Sequence, residues 1–67
     1  MKKILIPHNH PSACQLAIEY LCKHKPLHEF YNHGSYHIID MRENDAYDCR
    51  DYINNNLSSE DSQIKIK

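Results

Sequence analysis

Lys3-Ile-Leu-Ile-Pro-His-Asn-His-Pro-Ser-Ala-Cys-Gln-Leu-Ala-Ile-Glu-Tyr-Leu21 sets the start of the fold. Ile4, Leu5 and Ile6 form a short continuous apolar run, which suits a strand buried on both faces and central in its sheet. Pro7 ends the run, and His8-Asn9-His10-Pro11 reads as a turn because residues before proline avoid the helical region. Ser12 with Gln15 three residues on matches a capping box, so a helix is expected from there to about Lys23. Cys14, Ala17, Ile18, Leu21 and Cys22 recur at helical spacing and give its apolar stripe. Pro26 stops it.

Beyond Pro26, Leu27–Tyr31 and Tyr36–Met41 read as two strands joined by Asn32-His33-Gly34-Ser35. Gly34 is the chain's only glycine and suits the left-handed position of a four-residue hairpin loop. Simple pairing puts His28, Phe30, His37 and Ile39 on one face. Leu27, Glu29, Tyr31, Tyr36, Ile38 and Asp40 share the other, and a bulge would shift the register by one and swap the faces. A second helix, capped by Asp40 or Asn44, is expected at about 45–55, with Ala46, Cys49, Ile53 and Leu57 turned inward. Asn54, Asn55 and Asn56 should fray its end. Ser58–Gln63 reads as a polar linker, and Ile64–Lys67 as an edge strand guarded by lysines or as a tail. The expected fold is an α+β sandwich of β-α-β-β-α order, with two helices on one face of a mostly antiparallel sheet. Residues 1–57 would be its single domain and 58–67 a polar tail or edge strand.

At 67 residues a chain buries only about 60% of the surface its unfolded form exposes. A self-contained active site is therefore a poor expectation. The net charge of -1 argues against nucleic-acid binding by bulk electrostatics. The charge is uneven. Residues 40–61 carry Asp40, Glu43, Asp45, Asp48, Asp51, Glu60 and Asp61 against Arg42 and Arg50. The apolar run after Met1-Lys2-Lys3 is too short for the roughly 7–15 apolar residues of a signal peptide, and no stretch reaches a membrane span. Three cysteines are an odd number, which fits free thiols in a reducing cytoplasm.

Six histidines make metal binding worth weighing. His8, His10 and Cys14 are the right residue types for zinc, but their spacing matches no standard finger. His8-Asn-His-Pro-Ser12 resembles the His-x-His-Pro-Ser zinc motif of JAMM-type metalloproteases and of the DNA-repair-associated RadC family, where it also follows a strand. That resemblance implies zinc at His8 and His10. The family pattern then needs a Ser-x-x-Asp block and an upstream glutamate; here Glu19-Tyr20-Leu21-Cys22 stands in the block's place, and only a few residues precede the strand. Strand, then Pro11-Ser-Ala-Cys14 opening a helix, then a strand ending at Asp40, is similar to the first half of glutaredoxin. That resemblance implies an activated thiol at Cys14, with Pro11 standing where the family has its first cysteine. A metal-binding or thiol-redox mini-domain at His8, His10 and Cys14 is thus the rival reading.

The favoured reading lies in the second helix. Glu43, Asp45, Asp48 and Asp51 run along one helix edge, with Tyr47 and Tyr52 beside them. Aromatic anchors next to steering charges suit a protein interface. The expectation is a small non-enzymatic cytoplasmic protein that docks this face on a basic surface of a larger protein or nucleoprotein complex. No membrane, no direct nucleic acid and no cofactor are expected, and a homodimer stays open. Phage or mobile-element inhibitors of host or defence machinery, anti-CRISPR proteins among them, are the class suggested by size and by an Asn/Ile/Lys/Tyr-rich composition.

Overall fold

The structure, a computed structural model, describes residues 1–57 and 65–66. Its elements are β1 (Lys2–Pro7), α1 (Pro11–His24), β2 (His28–His33), β3 (Tyr36–Met41), α2 (Glu43–Asn56) and β4 (Lys65–Ile66). They form a small α+β fold with sheet order β2-β3-β1-β4, every neighbouring pair antiparallel. β1 and β2 therefore run parallel with β3 between them, and β3 and β4 run parallel with β1 between them. This is the split β-α-β topology of ferredoxin-like folds. The linker expected at 58–63 lies outside the described residues.

The core occupies one face of the sheet. Ile4 and Ile6 of β1 and Ile39 and Met41 of β3 are fully buried, packed beneath Ala13, Ala17 and Tyr20 of α1 and Ala46, Cys49 and Ile53 of α2. Each buried isoleucine contributes about 1.5–3 kcal/mol relative to exposure. The alanines leave room for the helix backbones to approach the strands. β1 is central, as its apolar run suggests, but it is covered on one face only: Leu5 points to the other face and is half-buried. A continuous apolar run overstates the burial of a strand whose second face has no helices.

Helix α1 begins two residues earlier than a Ser12 cap implies. Pro11 holds the first turn, and His10 is the cap, its Nδ1 accepting from the Ala13 N–H at 3.4 Å. The Ser12–Gln15 capping box does not form. Proline at the first helical position needs no partner for a missing N–H and has its φ preset, and this moves the cap upstream. The apolar stripe shifts with it. Ala13, Ala17 and Tyr20 are buried, whereas Ile18 is 47% exposed and Cys22 is exposed. The helix ends at Lys25, in the left-handed region at φ 50°, with its N–H bonded to the Leu21 carbonyl at 2.9 Å.

The hairpin loop has two residues, Gly34 and Ser35, not four, and β2 starts at His28. Gly34 has φ 60° while Ser35 has negative φ, the signature of a type II′ turn. Phe30 therefore faces Ile39 and Tyr31 faces Ile38. This differs from the expected register by two residues, so the face assignments are unchanged. α2 spans Glu43–Asn56 with Arg42 at its N-cap and no side-chain cap. Neither Asp40 nor Asn44 caps it. Asn54, Asn55 and Asn56 remain helical, and Asn56 Nδ2 donates to the Tyr52 carbonyl at 2.7 Å. β4 pairs with β1 through Ile66 opposite Ile4 and Lys65 opposite Leu5. No described helix is long and apolar enough to cross a membrane.

Candidate functional site

α2 puts its inward residues at Ala46, Cys49 and Ile53, so its other positions fan out at about 100° per residue. Asp45, Asp48 and Asp51 follow one another around the helix from the α1 side to the outermost line. Asp45 is half-buried, and Asp48 and Asp51 are exposed. Tyr52 lies with Asp45 and Asp48 on the α1 side, half-buried, and its hydroxyl donates to Glu19 Oε2 at 3.4 Å. Tyr47 and Glu43 continue past Asp51 toward the far side, both exposed. The six residues thus cover the solvent half of the helix as a curved surface, not a flat strip.

Two contacts temper this acidic surface. Arg50 Nη2 pairs with Asp51 Oδ1 at 3.0 Å, and its guanidinium sits 5.0 Å from the centre of the Tyr47 ring. Asp48 and Asp45 act inward as well: with burial as the larger cause, their charges push the Tyr20 hydroxyl pKa up. Burial also pushes the Cys49 thiol up to about 12, so Cys49 is an inert core group.

The histidines fall into a different arrangement from the one their sequence spacing suggests. Among the described residues no three His, Cys, Asp or Glu side chains are placed to hold a metal, so His8, His10 and Cys14 do not form a ligand set. His10 is occupied at the α1 cap. His8 instead meets His37 on β3, ring centroids 4.3 Å apart, and Phe30 lies 5.8 Å from His37 on its other side. The His37 Nδ1–H donates to Asn32 Oδ1 at 2.5 Å. An open cleft of about 460 Å³ runs beside this cluster, lined by His8, Pro11, Cys14, Ile18 and His37.

Sequence reasoning missed this cleft because it is built across the sheet: β1's end and β3 are neighbours only through the register Ile6 opposite His37. Phe30, Tyr31 and Tyr36 are 41%, 37% and 40% exposed: Phe30 shares the helix-covered face but sits on the bare edge strand β2, and Tyr31 and Tyr36 lie on the face that no helix covers. No protein-family model, curated protein or solved structure matches the chain.

Proposed function

We propose that this chain is a small non-enzymatic binding protein that sets the outer surface of α2 against a basic surface of a larger protein or nucleoprotein complex and blocks it. The observation that carries the reading is the run of Asp45, Asp48, Asp51 and Glu43 around the solvent half of α2, with the exposed Tyr47 between Asp51 and Glu43 and Arg50 the only basic residue of that helix. An acidic surface of this kind can occupy a basic channel in place of nucleic acid, speeding encounter through its charge. In its finer form the proposal is a phage-encoded inhibitor acting in the cytoplasm on host or defence machinery. A CRISPR effector, whose heteroduplex channel is positively charged, is the type of target meant.

The test is competition. The chain is titrated against a CRISPR effector complex and labelled target DNA at low and high salt. Displacement of DNA that weakens as salt rises is expected. Reversing Asp45, Asp48 and Asp51 to lysine should abolish it. Displacement undiminished by that triple reversal would remove α2 from the function.

A further inference from the structure

We propose that the outer edge of β2 pairs antiparallel with the β2 of a second copy of this chain, with Tyr31 opposite the second copy's Tyr31, to make one continuous sheet. The inference rests on which backbone groups point outward and on how the charges of the open face line up.

The hydrogen-bond parity of the sheet is set by the His8 N–H, which donates to the Ser35 carbonyl at 3.0 Å. That bond continues the ladder in which Ile6 faces His37 and Ile4 faces Ile39. Ser35, His37, Ile39 and Met41 therefore bond toward β1, and Tyr36, Ile38 and Asp40 bond toward β2. Their partners His33, Tyr31 and Glu29 spend their backbone groups inward. His28, Phe30 and Asn32 point their N–H and C=O groups outward, and among the described residues nothing pairs with them. Pro7 fits this parity, since its missing N–H falls on the side of β1 away from β3. All of β2 is exposed.

A strand can continue a sheet about a two-fold axis normal to it only if facing residues share a face. In the register with Tyr31 at the axis, Phe30 faces the second copy's Asn32, and these outward pairs exchange their backbone bonds. Glu29 then faces the second copy's His33. The charges favour this arrangement. Glu29 stands directly across from Asp40, and like charges in such a pair are destabilising. Asp40 has Lys3 on its far side, Nζ to Oδ2 3.8 Å, whereas Glu29 has only the open edge on its outer side. The second copy's His33 supplies a donor there. The alternative register, with Phe30 at the axis, sets Glu29 against Tyr31 and lacks this complement. An interface confined to one edge falls below the roughly 1,200 Å² of stable complexes, so the dimer is weak and forms at high concentration. It goes beyond the docking role proposed for α2 and uses a different surface.

Sedimentation equilibrium over a concentration series tests it directly. A mass rising toward the dimer is expected; a monomer up to millimolar concentration would overturn it. Register is read with one added cysteine in a background of Cys14→Ser and Cys22→Ser, the buried Cys49 being left in place. Tyr31→Cys should oxidise to a covalent dimer, because directly opposed side chains of a non-hydrogen-bonded pair are close. Preferential cross-linking of Phe30→Cys, or no cross-link from Tyr31→Cys when the parent dimerises, would equally sink the assignment. His33→Glu should weaken dimerisation at least tenfold, and adding Glu29→Lys should recover it. Failure of the double reversal to recover it counts against the charge pairing on which the register depends.

Discussion

Tyr20 of α1 and Tyr52 of α2 meet across the seam between the helices with ring centroids 5.9 Å apart and planes inclined at 51°. Tyr20 is only 5% exposed and belongs to the core, while Tyr52 extends outward to Glu19. The pair is the aromatic ring contact that joins the two helices.

Truncation should separate the two roles. Tyr20→Ala is expected to cost about 3–5 kcal/mol, which is most of the stability of so small a domain. Tyr52→Ala should cost about 1 kcal/mol. A double-mutant cycle in urea should return a coupling of about 0.5–1.5 kcal/mol. To keep both singles folded, Tyr20→Leu replaces the alanine variant if the latter unfolds. Strict additivity would mean that the rings are neighbours without interacting.

Alkaline pH should unfold the protein through Cys49. Its thiol is raised from 9.0 to about 12 by burial, and the Tyr20 hydroxyl is raised from 10.0 by burial and the nearby acids. A raised folded-state pKa leaves stability intact below the unfolded value. It is lost as pH climbs past that value toward the folded one, because the unfolded chain ionises first. Stability is therefore expected to hold to about pH 9 and to fall between about pH 9 and 12, by a few kcal/mol in all. Chemical unfolding at stepped pH checks this, and Cys49→Ala should flatten the decline while costing some stability at neutral pH. An unchanged alkaline slope in Cys49→Ala would contradict the assignment.

The two left-handed residues should respond in opposite directions. Lys25 carries φ 50° at the end of α1 and Gly34 carries φ 60° in the hairpin. Lys25→Gly should stabilise the protein by about 0.5–1 kcal/mol, since glycine occupies that region without a Cβ penalty. Gly34→Ala should destabilise by about 1–2 kcal/mol. No atom lies within 4 Å of a Cβ at Gly34, so that cost is conformational, not steric crowding by neighbours. Thermal melts of the two variants give the comparison, and a loss of stability in Lys25→Gly would contradict this view of the cap.

The fold was legible wherever one residue type had one structural use. Gly34 marked the hairpin, Pro26 marked the end of α1's reach, and Ala46, Cys49 and Ile53 marked the inner face of α2. The period of two along β3 gave the correct faces even though the loop length was misjudged, since a shift of two residues leaves faces unchanged. Misreadings arose where two signals competed. Ser12 and Gln15 formed a good capping box on paper, but Pro11 entered the helix and gave the cap to His10. Ile18 is apolar and helically spaced, yet it lies well around α1 from the buried line of Ala13, Ala17 and Tyr20 and stays exposed. The acidic edge of α2 was visible in sequence; the contact of Arg50 with Asp51 and Tyr47 was not, because it depends on rotamers. The His8–His37 contact depends on strand register, which no local pattern encodes.

β2 contributes no buried residue, and this separates its fate from that of the core. Detaching it breaks one ladder of backbone bonds and uncovers part of β3, but it opens no cavity beneath the helices. The amides of Glu29, Tyr31 and His33 should then exchange with solvent through a local opening far cheaper than global unfolding, while those of Ile4 and Ile39 wait for the whole domain. The chain is in this sense built in two grades, a cooperative centre and a strand held to it mainly by one edge, and sequence change along β2 is correspondingly less constrained by folding.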